Sequence, residues 1–206
     1  MRLDQVVTTV SLLLAASTAS PLHTDTPPQH EHIGFQPCGD KLLGQWQPKT
    51  RVECATFRVP MDYTNPLSND KVELHLNRIP AQIKQPLGTI FVNFGGPGQP
   101  CRESLVQSAT LLLRLSGGAY DLVTFDPRGT HKDFPFVCKG ADIHFPDATT
   151  GNITDAWQET AKSEHTCMQE ARNVAGYVGT PYTARDTMAI LDALPADGKL
   201  RYWGEY

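Results

Sequence analysis

Thr89-Ile90-Phe91-Val92-Asn93-Phe94-Gly95-Gly96-Pro97-Gly98 is the stretch that decides the fold. A compact apolar run without polar alternation describes a strand buried on both faces, and the glycines behind it describe a tight turn at its end. Such a loop leaves backbone N–H groups uncovered by side chains, the arrangement that stabilises a developing oxyanion. One donor of that kind typically contributes about 10²–10³ in kcat. A phosphate-binding loop is excluded, because no Gly-Lys-Ser/Thr follows and the spacing is not Gly-x-Gly-x-x-Gly.

The same pattern recurs downstream. Asp121 to Phe125 is a second buried run, closed by Asp126-Pro127-Arg128-Gly129. Two buried strands that each stop at a glycine turn predict an α/β domain with a mostly parallel sheet, flanking helices and loops gathered at one edge. Upstream, Val72, Leu74 and Leu76 alternate with Glu73, His75 and Asn77, the period of a half-buried strand. Apolar positions Trp157, Ala161, Met168, Ala171 and Val174 predict a helix between Asp155 and Ala175. Thr183-Ala184-Arg185-Asp186 has the form of a capping box that opens a helix through Met188, Ile190, Leu191 and Leu194. Leu200 to Trp203 reads as the next strand. The turn at Asp126 to Gly129 reads as structural, with Arg128 pairing locally and Gly129 supplying the backbone conformation.

Composition narrows the class of protein. The chain has 206 residues, 40% of them hydrophobic, and a formal charge of -4 from 18 basic and 22 acidic side chains. Without a basic stripe, nucleic acid is excluded as a partner on electrostatic grounds. Residues 1–19 have the form of a signal peptide, with Arg2, an apolar run from Val6 to Ala16, and small residues up to Ala19. That run is too short to span a bilayer, so a secreted protein without a membrane anchor is expected. Residues 20–37, rich in proline and histidine, read as a flexible N-terminal segment. Its His30-Glu31-His32 cluster lacks a third fixed ligand, and neither a metal nor a cofactor is expected.

In an oxidising compartment cysteines pair, and no Cys-x-x-Cys motif competes with that reading. The sequence-near pairs are Cys38 with Cys54 and Cys138 with Cys167, the second stapling a helical insertion near 132–181. Cys101 is left over. It reads as a half-buried small residue or the partner of a cysteine elsewhere, since nothing in the spacing fixes it to His131 as a nucleophile. Asn152-Ile153-Thr154 is a glycosylation sequon on Asn152.

Several motifs in order resemble one family. Phe94-Gly95-Gly96-Pro97-Gly98 is similar to the His-Gly-Gly-Pro-Gly loop of the prolyl-aminopeptidase-like α/β-hydrolases, and Asp121 to Thr130 resembles their following strand and turn. Tyr182 to Leu194 and Tyr202-Trp203-Gly204-Glu205 resemble the helix and strand that precede Gly-Glu-Ser-Tyr-Gly. Val59-Pro60-Met61-Asp62-Tyr63 resembles a motif of the secreted tripeptidyl aminopeptidases. The departures are Phe94 for the usual histidine and Gln99-Pro100-Cys101 for a small glycine-serine stretch.

The resemblance implies oxyanion-hole backbone donors at Gly95 and Gly96, and elbow-flanking positions at Gly204 and Glu205. In that fold the nucleophile stands in Gly-x-Ser-x-Gly, with the acid and histidine later in the chain. No Gly-x-Ser-x-Gly occurs in the 206 residues. The expectation is therefore an incomplete α/β-hydrolase domain over 38–206, truncated at the nucleophile elbow and inactive alone. The full-length relative would take a peptide substrate; the alternative is a non-catalytic, peptide-binding pseudoenzyme.

Overall fold

The computed structural model describes residues 32–39, 50–65, 67–96, 98–130, 132–138, 152–195 and 197–205. The expected signal peptide, most of the N-terminal segment, Pro97, His131 and Tyr206 lie outside these residues.

Six strands form one sheet: β1 (Gln36–Pro37), β2 (Glu53–Pro60), β3 (Lys71–Ile79), β4 (Thr89–Asn93), β5 (Asp121–Phe125) and β6 (Tyr202–Gly204). Their order is β1-β2-β3-β5-β4-β6. The sheet is mixed, which corrects the expectation of a mostly parallel one. β1/β2, β2/β3 and β3/β5 pair antiparallel, while β5/β4 and β4/β6 pair parallel. The physical reason lies in the connections: β2 and β3 are joined by a loop over 61–70 that reverses the chain, whereas β4 and β5 are joined by a crossover helix.

That helix is α1 (Cys101–Leu115), followed by α2 (Ile153–Glu170), α3 (Arg172–Ala175) and α4 (Thr180–Ala193). In α1, Leu105, Val106, Ala109, Leu112 and Leu113 are buried at helical spacing. They pack with Val52, Ile79, Val92 and Leu122 on one face of the sheet. On the other face Ile190, Leu191 and Ala193 of α4 meet Phe57, Val59, Val72, Leu74, Leu76, Phe91, Val123 and Phe125. Alternate residues of β4 and β5 thus serve opposite cores, as the period-2 pleat requires. Each fully buried Leu, Ile or Phe contributes about 1.5–3 kcal/mol relative to exposure.

Several sequence expectations change in three dimensions. The predicted helix from Asp155 to Ala175 is two helices, α2 and α3, broken at Ala171. Of its apolar positions only Ala171, at the break, is buried: no residue of α2 is, and Trp157 is 76% exposed. Cys138, bonded to Cys167, fastens this helix instead. Cys38 is bonded to Cys54. The end of the segment read as flexible is docked, with Ile33 in the core, its N–H on Ala193 O at 3.4 Å, and Gln36 and Pro37 paired with β2.

Thr183 to Asp186 is no capping box, because α4 already starts at Thr180 with Gly179 as its cap. Asp186 is fully buried in mid-helix and meets Arg128, which does not pair locally. The Arg128 guanidinium donates Nε to Asp186 Oδ2 and Nη2 to Asp186 Oδ1, both at 2.7 Å. Its remaining donors reach the carbonyls of Met61 (2.7 Å) and Pro60 (2.6 Å), and Tyr63 donates its hydroxyl to Asp186 Oδ1 at 2.7 Å. One side chain thus ties the β5 turn to α4 and to the end of β2.

Removing one member of a buried ion pair leaves the other charge stranded. Asp186→Ala should cost about 3–5 kcal/mol, read as a fall in the urea midpoint, whereas the double change Arg128→Met/Asp186→Leu should cost less. A pH dependence follows from Tyr63, whose phenol burial and the Asp186 carboxylate push far above its ordinary 10.0. The folded protein keeps this proton where the unfolded chain releases it. Stability is therefore complete below pH 10 and falls as pH rises above it. Urea melts on either side of pH 10 should show that loss flattened in Tyr63→Phe.

Candidate oxyanion site

β4 lies between β5 and β6, so the chain leaves β4 toward one neighbour through α1 and reaches the other through α4. The C-terminal ends of β4 and β6 lie at the strand-end edge of the sheet, the edge at which α/β folds bind ligands. Phe91, Val92 and Asn93 pair with Tyr202, Trp203 and Gly204, and one further bond, Glu205 N–H to Asn93 O at 2.8 Å, extends the ladder. Gly95 and Gly96 therefore follow by two and three residues the strand position that is paired with Gly204 and bonded by Glu205.

The loop's shape comes from its glycines. Gly95 has φ 66° and Gly96 φ 119°, conformations that L side chains resist. A Cβ on Gly96 would meet the backbone nitrogens of Gly98 and Gln99 at 2.8 and 2.9 Å. The two glycines are not equivalent. Gly95 N–H donates to Asn93 Oδ1 at 2.8 Å, an Asx-turn that bends the chain out of the strand. Gly96 N–H has no hydrogen-bond partner among the described residues.

Beneath the loop, α1 begins at Cys101 without a side-chain cap of its own. Asp126, at the end of β5, supplies one from across the sheet, its Oδ1 accepting from Arg102 N–H at 3.2 Å. A carboxylate there also complements the helix dipole. Asn77, buried on β3, accepts from Arg102 Nε (3.2 Å) and donates Nδ2 to Arg102 O (3.3 Å). Asp133 lies 3.5 Å from Arg102 Nη1 and accepts from His75 N–H at 3.0 Å. Asp126 and Arg102 thus hold the start of α1, and with it the exit of the glycine loop.

Cys101 is fully buried, not half-buried as expected. Burial pushes its thiol up, the Phe94 backbone hydrogen bond pulls it down, and the Asp126 charge pushes it up again. A thiol so placed is a weak nucleophile. Cys101 in the folded chain should resist iodoacetamide near neutral pH and react once urea is added; stoichiometric alkylation of the native chain would contradict this burial.

Asn152 is exposed and caps α2, its Oδ1 accepting from Thr154 N–H at 3.0 Å. No group of three His, Cys, Asp or Glu able to hold a metal occurs among the described residues. Among those residues no helix is long and apolar enough to cross a membrane. The sequence reading missed Asn77, Asn93 and Arg102. Only Asn93 carried a local signal, an Asn two residues before a glycine turn.

No protein-family model matches the chain. Curated proteins do. Over 160 residues it is 31% identical to the serine protease Hip1 of Mycobacterium tuberculosis, covering 73% of this chain and 30% of that protein. Over 179 residues it is 30% identical to the tripeptidyl aminopeptidase of Streptomyces coelicolor, covering 80% of this chain and 32% of that one. The chain is related to the α/β-hydrolase peptidases. Carboxylesterase B of Mycobacterium tuberculosis, 29% identical over 154 residues, covers 68% of this chain and 28% of its own length. The chain thus spans about a third of the length of the relatives it matches, which are named as a serine protease, an aminopeptidase and an esterase.

Proposed function

We propose that this chain forms the oxyanion-bearing part of a secreted serine hydrolase that releases short peptides or residues from peptide N-termini. The observation that carries the reading is the parallel pairing of β4 with β6, which sets the end of the strand that feeds the glycine loop beside Gly204 and Glu205. An acyl transfer there needs backbone donors for the oxyanion, a serine nucleophile, a histidine base and an acid that orients it. The loop offers the first of these. The serine is not available within the 206 residues in the required Gly-x-Ser-x-Gly setting, so the chain by itself forms no acyl-enzyme.

Secretion is supported by the two disulfides, which persist in oxidising compartments. Peptides are favoured over esters by the names of two of the relatives, the serine protease and the tripeptidyl aminopeptidase.

Two readouts on the purified chain test the proposal. Fluorophosphonate should leave no covalent adduct, and a serine adduct would overturn the inactivity. Tri-alanine, whose C-terminal carboxylate stands in for the oxyanion, should shift the Gly96 and Glu205 amide resonances. Shifts confined to other parts of the chain would contradict the site.

A further inference from the structure

We propose that Asn93 is the positioning residue of the oxyanion site, selecting Gly96 N–H as the loop's donor by occupying Gly95 N–H. The inference rests on the oxyanion reading above and names the atoms that would perform it.

An amide carries one hydrogen, and that of Gly95 is already held by Asn93 Oδ1 at 2.8 Å. For Gly95 to serve an oxyanion this bond would have to break. Gly96 N–H is engaged by none of the described residues, and the lack of a side chain keeps backbone approach open at a φ of 119°. Of the two glycine amides that the motif suggests, Gly95 and Gly96, only that of Gly96 is ready to donate among the described residues.

Asn93 acts on the neighbouring strand as well. Its main-chain carbonyl accepts from Glu205 N–H at 2.8 Å, at the end of β6. One residue thus fixes the glycine loop through its side chain and the end of β6 through its backbone. Asparagine is a poor strand former. Its presence as the last residue of β4 is explained by these local bonds and not by the strand.

Amide hydrogen exchange on the isotopically labelled chain tests this without any catalysis. In the wild type, Gly95 should exchange more slowly than Gly96 relative to their intrinsic rates. Asn93→Ala should speed Gly95 exchange about two- to ten-fold, the range expected for one net hydrogen bond. Asn93→Asp, which keeps the acceptor, should restore protection, with the Val123 amide as reference for the intact sheet. Equal exchange of Gly95 and Gly96 in the wild type would overturn the proposal and needs no variant; so would an Asn93→Ala chain in which Gly95 is unchanged. Failure of tri-alanine to shift Gly96 would count against the oxyanion reading and leave this exchange pattern intact, so the two failures are separable.

Discussion

The buried Arg128–Asp186 pair is the constraint on which the rest of the architecture depends. Both side chains are withdrawn from water, and burial pushes the Asp186 carboxyl up while Arg128 and Tyr63 pull it down. Such a pair is weak evidence for stability, since desolvating two charges offsets most of their attraction. It is stronger evidence for specificity. Only one arrangement of the β5 turn, α4 and the end of β2 satisfies the guanidinium, whose partners are Asp186 and the carbonyls of Pro60 and Met61. Tyr63 and Tyr182 flank it, with ring centroids 5.4 and 5.1 Å from the guanidinium carbon.

Fixing α4 against the sheet fixes where β6 returns. The helix packs on the face opposite α1, and the chain then re-enters the sheet at the free side of β4. The pairing of the strand that feeds the glycine loop with Gly204 and Glu205 is a consequence of that route. Asp126 and Arg102 perform the matching task on the α1 side, so acidic residues of the β5 turn and α4, each bound to an arginine, hold the two borders. The polar groups that are buried here mostly orient backbone, and the chemistry proposed for the site belongs to the backbone they orient.

Local patterns in the chain carried much of this. The limits of β4 and β5 follow from apolar runs that end at a glycine loop or at Asp-Pro, and β3 follows from the alternation of Val72, Leu74 and Leu76 up to Pro80, because burial and turn geometry are both local properties. What the patterns could not carry was long-range. Thr183 and Asp186 have the spacing of a capping box, yet Asp186 is claimed by Arg128, 58 residues away in the chain. The antiparallel β3/β5 contact is likewise invisible to period-2 counting, which gives a strand without its neighbour. Trp157 misled for a related reason: helical spacing predicts a face, but a disulfide can fasten a helix whose face stays in solvent. In the glycine loop the motif suggested two donors, and the side chain of Asn93 separates them.

The site depends on the hydrogen bond from Glu205 N–H to Asn93 O, which joins β6 to the glycine-loop strand. A trans-hydrogen-bond scalar coupling between the Glu205 amide nitrogen and the Asn93 carbonyl carbon, measured on the isotopically labelled chain, observes that bond directly. A resolved coupling is predicted. Its absence in spectra that resolve the couplings of the β4/β5 ladder would mean that the two borders of the site do not meet.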